Sequence, residues 1–274
     1  MTIADPSQRL GARAVDAPAA APIVTATAVF GIDALSEAQV VDMILSRSGV
    51  LSSDGPHLIV TPNMNHLALL EHSEALGAAY RRATLHLADG WPVVCLARAL
   101  GENVADRTTG SGILDALAEV DGIGRRIFIV GGSSDDASRR AAARFRSAGW
   151  DVRSHQAPPE FVASREAASV LSEEIRGHQS DVVVIGIGAV KQEVLATGLM
   201  SAAGVKTVYL GVGAAIDFLA GEVARAPRWM RRLHLEFLHR ILTDPARLAK
   251  RYIGDVGDYL RVARRSIAAA GLRG

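Results

Sequence analysis

The chain has 274 residues, 49% of them hydrophobic and 22% charged, with a formal net charge of +1. That is enough to bury one large α/β core or two small ones. A single cysteine, Cys95, excludes an internal disulfide framework, and the eight histidines show no HExxH or CxxC-type spacing, so neither a metal nor a tightly held cofactor is expected. No apolar run approaches the roughly 20 residues that cross a bilayer. The stretch "APAAAPIVTATAVF" has neither a basic region directly ahead of an apolar one nor a convincing cleavage site, and a cytoplasmic location is expected.

Residues 1–22 are rich in alanine and proline without periodicity and read as a flexible leader. Short apolar runs follow at Val24–Phe30, Leu58–Val60, Leu85–Leu87, Arg126–Val130, Asp151–Arg153, Asp181–Ile185 and Lys206–Leu210. Helical stretches such as "SEAQVVDMILSR", "DASRRAAARFRSAG" and "SREAASVLSEEIRG" separate most of them. This alternation predicts an α/β fold, a mostly parallel sheet with helices on both faces. Cys95 is expected in its core, as free cysteines commonly are. In such a fold ligands gather beyond the carboxyl ends of the strands.

The first strand end is "LIVTPNMNHLALL", where Thr61 and Asn63 follow the run and "MNHLALLEHSEAL" continues as a helix. Asn63 can cap that helix or face a ligand. The second is "LHLADGWPVV", where Asp89 precedes Gly90 and a proline suited to a helix start. Asp89 serves equally as a turn residue or as a general base. "ADRTTGSGILDAL" then supplies Arg107, a cation shaped for phosphate or for solvent. "IFIVGGSSDDASRR" and "VVVIGIGAVKQEVLA" each place glycines between a strand and a helix, where backbone N–H groups can receive an anion. Neither is a dinucleotide fingerprint. Lys191 and Gln192 open the later helix, and Asp135 and Asp136 read as dipole complements at the start of the earlier one.

The last stretch differs in character. From Arg225 onward twelve basic side chains face four acidic ones, a charge of +8 that leaves −7 for residues 1–224. Such a split points to an anionic partner. In "RWMRRLHLEFLHRIL", Trp229, Leu233, Phe237 and Ile241 recur at helical spacing with arginines off that line. A basic amphipathic helix of this kind suits an anionic membrane surface or packs on a core. A second basic helix follows Thr243 and Pro245. Few aromatics interleave with its cations, so nucleic acid is not an expected partner.

Taken together, "TPNMNHLALL", "ADGWPVV", "DRTTGSGILDAL", "GIGAVKQE" and "GVGAAIDFLAGEVARAPRWMRRLHLEFLHRILTDPARLAKRY" resemble the successive motifs of the WecG/TagA/CpsF glycosyltransferase family. The resemblance implies a Rossmann-like catalytic core over residues 23–224 and a membrane-associating helical appendage over 225–274. It implies an inverting, metal-independent transfer of a sugar, of N-acetylmannosamine type or a related hexose, from a UDP-sugar donor to a lipid-linked saccharide acceptor on undecaprenyl diphosphate. The enzyme would be peripheral on the inner face of the plasma membrane. Asp89 would be the base, Thr61, Asn63, Arg107, Gln192 and Asp217 would line the pocket, and Arg240, Arg247 and Lys250 would come from the appendage. Two residues depart from the family pattern: Val190 stands where proline is usual, and Gly112 where an acidic residue is common. An oxidoreductase on the same sheet and a non-catalytic nucleotide- or polyanion-binding module are the alternatives, and a homo-oligomer is left open.

Overall fold

The computed structural model describes residues 20–156, 165–203, 206–222 and 245–271. Six of the expected strands form one all-parallel sheet: β3 (His57–Val60), β4 (Leu85–His86), β5 (Arg126–Gly131), β6 (Asp151–His155), β7 (Val182–Gly186) and β8 (Val208–Gly211). Their spatial order is β4-β3-β8-β7-β5-β6.

The period-2 alternation of the strands assigns their side chains to two cores. Leu58, Val60, Phe128, Val130, Val183, Ile185 and Tyr209 face one. Ile59, Ile127, Ile129, Val182, Val184, Val208 and Leu210 face the other. The first is covered by α2 (Met64–Leu69), α3 (Glu74–Arg82), α4 (Trp91–Ala99), α7 (Arg165–His178) and α8 (Lys191–Ala203). The second is covered by α1 (Glu37–Ser46), α5 (Gly110–Glu119), α6 (Asp135–Ser147) and α9 (Ala215–Ala220). The connection from β5 to β6 leaves toward one edge of the sheet and that from β7 to β8 toward the other. The reversal between the neighbours β5 and β7 is where a doubly wound sheet opens a crevice.

Three expectations change. The run Val24–Phe30 is a hairpin outside the sheet, β1 (Ile23–Val24) against β2 (Val29–Phe30). Thr25 closes it: its N–H donates to Ala28 O and its Oγ1 accepts from Ala28 N, both at 2.9 Å. The helix expected through "MNHLALLEHSEAL" is two helices, because Ser73 accepts from Leu76 N–H at 3.2 Å and restarts the chain as α3. Cys95 is exposed. In α4 the residues turned inward are Val93, Val94, Leu96 and Ala97, which leaves position 95 on the outer face.

The second basic helix is present as α10 (Pro245–Gly271), with Pro245 in its first turn. Its distal part belongs to the core packing rather than standing apart. Val262 and Ser266 are fully buried, Ser266 Oγ accepts from Val24 N–H at 2.8 Å, and Tyr259 Oη donates to Pro92 O at 2.8 Å. Arg265 grips Glu71 through both nitrogens at 2.8 and 3.1 Å. The Glu71 side chain is only 4% exposed and also accepts from Ala26 N–H. Among the described residues no helix is long and apolar enough to cross a membrane. The amphipathic stretch 228–242 and Thr243 lie outside the described residues.

Arg265→Ala leaves the Glu71 carboxylate buried beside one backbone donor, and should lower stability by about 1–3 kcal/mol in urea unfolding. Adding Glu71→Gln should recover part of that loss; full additivity of the two would contradict the pairing.

Candidate active site

The carboxyl ends of the strands form two adjoining corners. At the first, β3 runs into Thr61, which is 8% exposed, and then into Asn63, whose side chain accepts from His66 N–H at 3.2 Å and caps α2. Asp89 follows β4, and its backbone N–H donates to Pro62 O at 2.9 Å. This bond holds the Asp89 backbone beside the segment that carries Thr61 and Asn63. Gly90 makes the turn possible, since its φ of 94° is a conformation that side chains disfavour, and α4 starts immediately after it.

The loop carrying Arg107 reaches the same corner. Thr108 N–H donates to Ala88 O at 2.8 Å, and the Thr108 hydroxyl donates to Leu35 O. The start of α5 then meets the strand ends directly: a Cβ on Gly110 would lie 3.2 Å from Val212 Cα and 3.4 Å from both Gly211 O and Thr61 Oγ1. Thr61, Asn63, Asp89 and Arg107 are therefore brought together.

The second corner lies over β5, β7 and β8. Asp217, in the first turn of α9, accepts from Ser133 N–H at 2.7 Å and ties the glycine turn after β5 to the turn after β8. Gln192 is 3% exposed. Its Oε1 accepts from Gly213 N–H at 3.0 Å, and its Nε2 donates to Glu193 at 2.8 Å. Its neighbour Lys191 is exposed. Arg247 and Lys250 belong to the first turns of α10, where only the backbone is described. Arg240 lies outside the described residues. At the start of α6, Ser134 is the cap and Asp136 pairs with Arg140.

Sequence reasoning passed over three polar residues here. Glu193 is 2% exposed, with His66 Nε2 3.4 Å away. Burial alone would push its carboxyl up, but His66, Gln192 and its own N–H together hold it below the usual range. Tyr80 lies next to them, with its ring 6.4 Å from that of His66. Burial pushes its phenol well above the ordinary value, and the Glu193 and Asp89 carboxylates add to the effect. The third is Glu37.

Glu37 bears on Gly112. Its Oε1 accepts from Thr109 N–H at 3.1 Å and from the Thr109 hydroxyl at 2.8 Å, and a Cβ on Gly112 would lie 1.8 Å from that oxygen. The space that a side chain at 112 would occupy thus holds a carboxylate delivered from α1. Val190 has a φ of 68°, which the proline ring cannot reach. The turn before α8 therefore takes a shape that this valine permits, at a cost in strain, and proline forbids.

Glu37→Ala should cost about 1–2 kcal/mol by loss of charge-assisted bonds. Gly112→Ala should be destabilising in the wild type, where it displaces Glu37. In the Glu37→Ala background it should instead stabilise by up to about 1 kcal/mol, the helix propensity gain. Equal effects in both backgrounds, measured by chemical denaturation, would contradict this packing.

Among the described residues no three His, Cys, Asp or Glu side chains gather as metal ligands. What the site offers is the segments of an acid, a hydroxyl, an amide and an arginine at one corner, with glycine turns and helix starts at the next. The sequence profile of the Glycosyl transferase WecG/TagA/CpsF family matches residues 26–270, nearly the whole chain. The chain therefore belongs to the WecG/TagA/CpsF family of glycosyl transferases, enzymes of cell-surface polysaccharide synthesis that use a nucleotide-sugar donor and a lipid-linked acceptor.

Proposed function

We propose that the enzyme moves a hexose or N-acetylhexosamine, of N-acetylmannosamine type, from a UDP-sugar to a saccharide on undecaprenyl diphosphate, with inversion at the anomeric carbon. The observation that carries this reading is the seat of Asp89. Its backbone is fixed to Pro62 O beside Thr61 and Asn63, so a base is held at a defined place next to a hydroxyl and an amide, with the loop of Arg107 alongside.

In this reading Asp89 takes the proton of the acceptor hydroxyl as its oxygen attacks the anomeric carbon and the bond to the diphosphate breaks. UDP leaves as an anion. Its charge is met by Arg107, by the backbone N–H groups of the glycine turns and by Arg240, Arg247 and Lys250 of the appendage. Thr61, Asn63, Gln192 and Asp217 shape the pocket, Gln192 and Asp217 from below through the turns they hold.

The appendage, residues 225–274, would bring these cations to the inner face of the plasma membrane. The Trp229, Leu233, Phe237 and Ile241 line would enter the lipid and the +8 charge would meet its anionic headgroups. Because α10 also packs against the hairpin and α2, its removal would strip the core. Charge substitutions at Arg240, Arg247 and Lys250 are the cleaner probe of this role.

Asp89→Asn should keep the fold and the affinity for UDP, yet lower turnover by about 10²-fold or more, the contribution of a general base. Near-normal turnover would remove Asp89 from that role. Transfer should also survive excess EDTA, since the leaving diphosphate is met by cationic side chains and N–H groups. Loss of activity that Mg²⁺ or Mn²⁺ restores would overturn this account of the leaving group.

A further inference from the structure

Glu193 sits in the first turn of α8, 2% exposed. A carboxylate so placed is costly unless it is met by donors. Its two side-chain donors converge on one oxygen, with Gln192 Nε2 at 2.8 Å and His66 Nε2 at 3.4 Å. His66 is itself 7% exposed, and its backbone N–H is the group that Asn63 caps. A continuous path therefore runs from Asn63 at the end of β3, through His66, Glu193 and Gln192, to Gly213 beyond the end of β8.

The direction of each bond in this path follows from chemistry. An ionised carboxylate only accepts, so the Gln192 amide must turn its NH₂ to Glu193 and its oxygen to the Gly213 N–H. The reverse orientation would set an oxygen against the carboxylate and two donors against each other. Gln192 also fills the space beside the strand, since a Cβ on Gly211 would lie 3.0 Å from its Nε2. The turn at 211–213 therefore rests on an amide whose orientation Glu193 dictates.

We propose that Glu193, held by His66, is a positioning residue of the transfer site: it fixes the Gln192 amide and thereby the Gly211–Val212–Gly213 turn that forms the floor of the donor pocket. The inference rests on the reading of that pocket as a nucleotide-sugar site. Glu193 touches no reacting atom, so its loss should act on donor binding and on the turn itself, with the proton transfer at Asp89 left in place.

Glu193→Met removes the acceptor at similar length, and Glu193→Gln retains an oxygen. Hydrogen exchange of the free, full-length protein, followed on a peptide covering 207–218, reads the turn without any ligand. Exchange there should quicken tenfold or more in Glu193→Met and stay within threefold of wild type in Glu193→Gln, while a peptide over 182–186 is unchanged. His66→Leu should shift the 207–218 peptide the same way by threefold or more. Affinity for UDP should fall tenfold or more in Glu193→Met, with kcat at saturating donor within threefold. Wild-type exchange in Glu193→Met, equal damage in the Met and Gln variants, or no effect of His66→Leu would overturn the positioning role. Faster exchange with unchanged UDP affinity would overturn the link between turn and donor. Failure of the wild-type protein to bind UDP would sink the nucleotide reading alone, with the exchange data still deciding the hold of Glu193 on the turn.

Discussion

The ends of β5, β7 and β8 lie closer together than side chains would allow. A Cβ on Gly131 would fall 2.6 Å from Gly186 O, and one on Gly186 would fall 2.6 Å from Gly213 O. Real Cβ contacts do not reach such distances, so the ends of β5 and β7 are held to glycine by the approach of their neighbours' backbones, while a Cβ on Gly211 at the end of β8 would meet the Gln192 side chain at 3.0 Å. The turns that leave them carry Ser133 and Gly213 to within reach of Asp217 and Gln192. The starts of α6, α8 and α9 follow from the same turns. The Ser133 and Gly213 N–H groups are taken up by the Asp217 and Gln192 side chains, so an anionic ligand here would be met by the helix starts that follow the turns.

The sheet was legible because six short apolar runs alternate with helical stretches, and this alternation needs no knowledge of which strand pairs with which. The hairpin was less legible. Two-residue strands are too short to show a period, and the Thr25 turn is defined by backbone bonds that no sequence pattern displays. The break before α3 was hidden by apolar residues at 67, 69, 70 and 76 that keep a helical phase across it. Cys95 was misjudged by residue type, whereas the phase of Val93, Val94, Leu96 and Ala97 already turned position 95 outward.

The candidate site was legible where a residue's place follows from its position along one strand end, as with Thr61, Asn63 and Asp89. It was not legible where that place follows from contacts between distant segments. Glu37 reaches Thr109 across 72 residues of chain, and only the crossing of α1 and α5 brings them together. Glu193 stood next to Gln192 in "KQE". Which residue of that first helical turn faces inward depends, however, on how α8 lies between β7 and β8. Both Gln192 and Glu193 prove buried, while the exposed residue is Lys191. The basic segment shows the same limit: its charge was plain, but the packing of its distal part through Val262, Ser266 and Arg265 was not.

The central claim is an acceptor-dependent, inverting transfer from a UDP-sugar. Its most direct test incubates the full-length protein with a panel of UDP-sugars and a synthetic saccharide on a lipid diphosphate, following UDP release and the anomeric configuration of the product by NMR. The account predicts UDP release only when the acceptor is present, and a product whose anomeric configuration is inverted relative to the donor. Retention of configuration, or UDP release at the same rate without acceptor, would contradict it.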